Sequence, residues 1–254
     1  LKRLILGVAG FLLLNVYFNA TTHFLPHPIL QFLGLLLFFP LAAAVARWNG
    51  LPGLRGLGLV RSRTAARHFA MSFVLGFGCW ALMYAAYWGL GKFDIVGWKT
   101  PLDAVLTLVQ IMAGYFFGSL INDLITRGYV LNVLRGKLPP LLLGAVSVAI
   151  YALDDFWNGD VTAMNFVFSL ALGCSLTYAF LRTGTVWANT GIHFGLNMAY
   201  GLLYGLGGSV GGGVWTMREG ELASLPNNAI LLGTTLLLFA AVYMYYRKSS
   251  TVRA

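Results

Sequence analysis

The stretch PILQFLGLLLFFPLAAAVAR, residues 28–47, carries a single charge, Arg47, at its last position. About 20 consecutive apolar residues are what a helix needs to cross a bilayer, so this stretch reads as one spanning helix. Similar apolar runs lie on both sides of it, at roughly 4–22, 68–91, 101–123, 139–156, 162–182, 185–205 and 228–246. The run from 101 continues in mixed form to about Leu134. The runs at 139–156 and 162–182 are interrupted by polar residues. The expected fold class is therefore all-α, a polytopic membrane protein of about eight transmembrane helices, with residues 1–254 forming one integral membrane domain.

Composition agrees. Hydrophobic residues make up 58% of the chain and charged residues 10%, and mean hydropathy is +0.75. Soluble domains carry about 45–50% apolar and about 25% charged residues. A water-soluble domain, a nucleic-acid binder and a disordered chain are excluded on that ground. The net charge of +9 is better explained by orientation in a bilayer. With both termini in the cytoplasm, 14 of the 17 Lys and Arg residues fall on the inside, as the positive-inside rule requires. Lys92, Lys99 and Arg218 fall outside, together with Asp94, Asp154, Asp155, Asp160, Glu219 and Glu221. Short loops and this basic bias suit a bacterial inner membrane. The basic loop from Asn49 to Arg67 is expected to rest on anionic headgroups.

Other features narrow the reading less. Cys79 and Cys174 each sit inside an apolar run, with no disulfide framework and no CxxC pair. Lys2-Arg3 followed by an apolar core imitates a secretory signal, but no small-residue cleavage site follows and seven runs come after it, so it is read as a helix. Asn19-Ala-Thr matches a glycosylation sequon at a membrane edge and is expected to be inert. The glycine-rich GLGGSVGGG, 205–213, is expected to be a loop or a mobile lid, because a regular helix there costs too much entropy.

Polar residues inside apolar runs are costly and mark interiors or cavities. Three places have them. In NDLITRGYVLNVLR (122–135), Asp123 and Arg127 are four apart and share a helix face; Asn122 lies about 100° around from Asp123. In YALDDFWNGD (151–160), three aspartates cluster beside Trp157, and Asp155 can still lie on the helix. In WANTGIHFGLNMAYG (187–201), His193 and Asn197 form a polar stripe, while Gly191-xxx-Gly195 permits close helix approach. Asn122 and Asp155 each lie roughly 22–24 Å from the turn near Lys137–Pro139. In a helix hairpin they therefore share a depth.

NDLITRGYVLN resembles the EExxxRGYxLN motif of the CPBP family, which comprises CAAX prenyl proteases and bacteriocin-processing enzymes and is also called Abi. FLRTGTVWANTGIHFGLN is similar to that family's LRTGSLWxxIxxHxxxN segment, and YALDD stands where the family has FxxxH. The likeness covers about residues 110–200. It implies a CAAX-protease-like helical bundle and an intramembrane endopeptidase site. In active members the first Glu and the motif-two His activate water, and the HxxxN pair stabilises the oxyanion. Carried over, Asn122 takes the place of the first Glu, Asp123 the second Glu, and Asp155 the His. Arg127, His193 and Asn197 match. An amide cannot take a proton from water, so Asn122 removes the ordinary base.

Three functions follow as expectations. The first is a pseudoprotease whose polar cavity binds a peptide or a partner membrane protein, with the lipid bilayer as solvent and no nucleic acid. The second is an active endopeptidase using Asp123, alone or sharing a proton with Asp155 as a dyad. No cofactor is expected; a Zn or Mn site of Asp123, Asp155 and His193 is a variant of it. The third is a transporter or structural membrane subunit.

Overall fold

The computed structural model describes residues 2–154, 157 and 162–249. The chain order is α1 (Lys2–Phe24), α2 (Pro28–Trp48), a short α3 (Gly53–Gly56), α4 (Arg63–Gly89), β1 (Phe93–Trp98) and α5 (Pro101–Asp123). A π-helical turn (Leu124–Tyr129) and α6 (Val130–Leu134) follow without a break. Next come α7 (Pro140–Asp154), α8 (Ala163–Thr183), α9 (Val186–Tyr204), β2 (Trp215–Glu219) and α10 (Ser224–Tyr246). The fold is helical, as expected. β1 and β2 pair antiparallel in a two-stranded ribbon that sequence periodicity did not indicate.

Helices occupy the places of all eight apolar runs, but they are not equivalent. Six are long and apolar enough to cross a membrane, the continuous Pro101–Leu134 rod among them. The exceptions are α7, a shorter apolar helix, and α9. Of the 19 residues of α9, 13 are buried, so it is the central element, and it can be polar because protein covers it. The outer faces of α1, α2, α4 and α5 expose large apolar side chains such as Val8, Leu37, Leu82 and Val109, which suits contact with acyl chains.

The helix starts follow local chemistry. The side chains of Ser62, Thr100, Thr162 and Thr185 each accept a backbone N–H at the first turn of α4, α5, α8 and α9, satisfying otherwise orphaned donors. Gly184 ends α8 with φ +65°, the left-handed cap that glycine adopts without strain. The next residues tie α9 to the loop before α4. Thr185 Oγ1 donates to Gly58 O at 3.2 Å and Trp187 Nε1 to Val60 O at 2.8 Å. Most of the LRTGTVW segment is thus a helix-connection device. Gly184→Ala is expected to cost about 1–2 kcal/mol, read as a lower midpoint of thermal unfolding in detergent.

The α4–α9 contact is backbone to backbone. A Cβ added at Gly191 or Gly195 would strike the carbonyl oxygens of Phe69 or Phe73, and one at Gly76 would strike Ile192 O. The expected close approach at Gly191-xxx-Gly195 is thereby assigned to α4. The 205–213 segment folds back on the end of α9, with Val214 N donating to Leu202 O at 2.8 Å and Lys99 Nζ to Gly212 O at 2.9 Å. Asn19 is buried and donates to Asn15 O, which leaves no room for a glycan.

Candidate functional site

Asp123 is the last residue of α5, and the π turn begins immediately after it. π turns leave backbone carbonyls without their usual partners and are frequent at functional sites. Here Ser147 Oγ on α7 donates to Thr126 O at 2.8 Å, and Asn132 Nδ2 donates to Gly128 O at 2.7 Å. Gly128 is required by packing, because a Cβ there would meet Leu57 O at 2.5 Å. The RGY segment is therefore clamped between α7 and the α3 loop, and this fixes the direction of its side chains.

Asp123 and Arg127 are both fully buried. Arg127 Nη1 donates to Asp123 Oδ1 at 2.6 Å and to Thr126 Oγ1 at 3.0 Å. The guanidinium lies 4.2 Å over the ring of Tyr151 on α7, a cation–π contact that suits a planar cation with few partners. Asp123 Oδ2 accepts from Thr190 Oγ1 at 3.0 Å and has His193 Nδ1 at 3.5 Å. His193 faces inward, its ring edge-on to Tyr151 with centroids 5.9 Å apart. One turn along α9, Asn197 Nδ2 donates to Ser119 Oγ at 3.1 Å. Pairs 119–197 and 123–193 run in opposite directions, so α5 and α9 meet as antiparallel helices along a polar seam. Of the predicted residues, Asp123, Arg127, His193 and Asn197 fall on this seam.

Asn122 faces the other way, as its 100° offset dictates. Its Nδ2 donates to Asp154 Oδ2 at 2.7 Å, and Asn15 Nδ2 from α1 donates to Asp154 Oδ1 at 2.5 Å. Asp154 is 9% exposed. Asp155, placed at the motif-two position by sequence, lies outside the described residues, as does Asp160. The carboxylate seen level with Asn122 is that of its neighbour, Asp154, and the hairpin arithmetic holds for that residue.

Sequence reasoning passed over Asp154 as a site residue, and also Asn15, Tyr151, Thr190 and Asn189. Asn15 and Asn19 are the amides in the otherwise apolar α1, a usable signal. Thr190 stands at the Ile position of the LRTGSLWxxIxxHxxxN pattern, and Asn189 precedes it; both are fully buried. Among the described residues, Asn122 Oδ1 and Arg127 Nε and Nη2 have no hydrogen-bond partner. Buried polar atoms normally have partners, so unspent hydrogen-bonding capacity is concentrated around the α5–α9 seam and around a second, α5–α7 seam at Asn122, Asp154 and Asn15. No group of three or more His, Cys, Asp or Glu suited to hold a metal ion occurs among the described residues.

Buried acid, amide and imidazole groups inside a polytopic helical bundle define an intramembrane polar site. Residues 104–199, which hold both seams except Asn15, match the family model described as Type II CAAX prenyl endopeptidase Rce1-like. The chain is similar to that family over these residues, and its six long apolar helices are those of an integral membrane protein. No curated protein matches the chain, and no solved structure does.

Proposed function

We propose that this protein is a pseudoprotease of CPBP architecture: a single integral membrane domain whose polar seam binds a peptide or a partner membrane protein. We place it in a bacterial inner membrane with both termini cytoplasmic, on the strength of the basic-loop asymmetry. The observation that carries the reading is the state of the carboxylates. Where active members carry a Glu, Asn122 spends its N–H on Asp154. Asp123 is spent on Arg127 and Thr190. A carboxylate paired with a guanidinium is a poor proton acceptor, and the donors that suit an oxyanion, His193 and Asn197, remain beside it. Such a site retains affinity for a polarised carbonyl without a group that activates water.

The test uses the full chain in liposomes with a membrane-spanning synthetic peptide that carries a photoreactive side chain. Wild type is expected to crosslink the peptide and leave it intact. Asn197→Trp, which puts a bulky ring one turn from His193, is expected to reduce crosslinking about tenfold, the loss of roughly 1.4 kcal/mol of binding.

One observation favours a second reading. The α5–α7 seam still holds a carboxylate, Asp154, although on the opposite helix from the family's Glu. A carboxylate offers about four lone-pair sites, so Asp154 can accept a water proton while keeping its amide bonds. The second water proton would stay on the attacking oxygen, donated as a hydrogen bond to Asn122 Oδ1, while that oxygen bonds to the peptide carbonyl carbon and the proton held by Asp154 passes to the leaving nitrogen as the C–N bond breaks. Cleavage of the peptide by wild type, lost in Asp154→Asn, would establish this reading in place of the first.

A further inference from the structure

The loop before α4 borders a cavity of about 470 Å³ that lies between α4, α5 and the start of α9. Three half-buried rings form its floor: Phe69 of α4, Phe116 of α5 and Trp187 of α9. The rings pack on one another with centroids 5.9 to 6.4 Å apart, so they brace the floor instead of closing the space. The indole N–H of Trp187 is spent on Val60 O, which leaves the floor without a polar group to offer. The rim is different. Arg61, Ser62 and Ala66 line the same cavity and are exposed. Phe69 lies seven residues beyond Ser62, about 10 Å along the helix. Because α4 is long and apolar enough to cross a membrane, a cavity that starts at its first residues runs from the membrane surface into the hydrocarbon.

The rim supplies donors and positive charge. Ser62 Oγ accepts Ala65 N and keeps its own O–H to give. The Arg61 guanidinium has no ion-pair or hydrogen-bond partner among the described residues. Arg55, Arg63 and Arg67 stand near it in the chain, and no Asp or Glu precedes Asp94. Asp94 follows the far end of α4, whose 27 residues span about 40 Å.

We propose that this cavity is a binding site for an anionic phospholipid, with one acyl chain on Phe69, Phe116 and Trp187 and the phosphate at Arg61. The sequence laid the whole basic loop on headgroups; the cavity singles out Arg61, the arginine of that loop that lines it. A guanidinium pairs with phosphate through two parallel hydrogen bonds, and the aromatic floor accepts hydrocarbon. A soluble phosphate would leave that floor bare. An extended peptide would bring backbone N–H and C=O groups to a floor with no partners for them. A zwitterionic headgroup would set its ammonium among arginines with no carboxylate to meet it. The cavity shares no lining residue with the α5–α9 seam, so the assignment does not depend on what binds there.

The experiment uses the full chain in liposomes with two probes, phosphatidylglycerol and phosphatidylcholine, each with a photoreactive group midway along one acyl chain. Labelled positions are mapped by mass spectrometry. Phosphatidylglycerol is expected to label Phe69, Phe116 and Trp187 about fivefold more than phosphatidylcholine, the weight of one arginine facing an anionic lipid. Arg61→Gln should bring the two lipids level. Arg55→Gln removes an exposed charge of the same loop that does not line the cavity, and it should change the labelling less than about twofold. Ala66→Trp, at the exposed rim, should block labelling of the floor by either lipid. Excess glycerol 3-phosphate, a headgroup without chains, should leave the labelling as it was. Equal labelling by both lipids in wild type overturns the proposal, because the cavity then holds ordinary boundary lipid. Equal losses in Arg55→Gln and Arg61→Gln overturn it in favour of diffuse attraction. Suppression by glycerol 3-phosphate overturns it in favour of a soluble phosphate. Floor labelling by the membrane-spanning peptide that phosphatidylglycerol does not reduce overturns it in favour of a peptide. If Ala66→Trp does not fold, the comparison of the two arginine variants decides alone.

Discussion

Arg127→Leu is expected to destabilise the protein by about 3–5 kcal/mol, the usual result of removing one partner of a buried ion pair. Both side chains are fully buried and 2.6 Å apart, so the variant leaves Asp123 beside Thr190, Asn189 and His193 without its guanidinium. The Tyr151 ring also loses the cation stacked on it. Thermal unfolding of purified protein in detergent measures the loss directly. The double variant Asp123→Asn with Arg127→Leu should recover most of it, because replacing both charges removes the unpaired ion rather than creating one. If the single variant lost less than about 1 kcal/mol, the pair would have to be hydrated rather than buried.

Gly195→Leu is expected to be as damaging for a different reason. A Cβ at this position would collide with Phe73 O and lie 2.7 Å from Phe77 N. These are backbone atoms of a 27-residue helix and cannot turn aside as a side chain can. Overpacking of an ordinary core costs about 1–3 kcal/mol; here α4 and α9 must separate, so about 3 kcal/mol or more is expected. Separation also withdraws His193 and Asn197 from Asp123 and Ser119, so peptide crosslinking should vanish with stability. Gly78→Leu is the control. It lies on α4 with open space around it, and its effect should stay within about 0.5 kcal/mol. Equal loss in both variants would show that the α4–α9 contact is not responsible, since leucine is a better helix former than glycine at either position.

Some of the site could be read from spacing alone. Asp123 and Arg127 pair as their four-residue separation on a helix requires, and the His193–Asn197 stripe turns inward because lipid offers those groups no hydrogen bonds. The glycines of 191–195 announced a close contact, although not its partner. Other parts were hidden. Adjacent residues near a helix end differ by 100° in direction, so nothing in the sequence YALDD says which aspartate meets Asn122. Asn15 lies more than one hundred residues from Asp154, and an amide in an apolar helix does not say which partner it meets. The Gly184–Trp187 segment belongs to the stretch similar to LRTGSLWxxIxxHxxxN, but its hydrogen bonds fasten α9 to the loop before α4.

What the residue order alone determined is the solvent and the secondary structure. Long apolar runs cannot stay in water, and inside a bilayer each must satisfy its own backbone hydrogen bonds by forming a helix. Those are local requirements, met within each segment. Which charges end up paired was decided only when the helices packed. The direction of a side chain across a bundle depends on the rotation and depth of two separate rods, and both are set by glycine contacts, by a π turn and by amides on helices far apart in the chain.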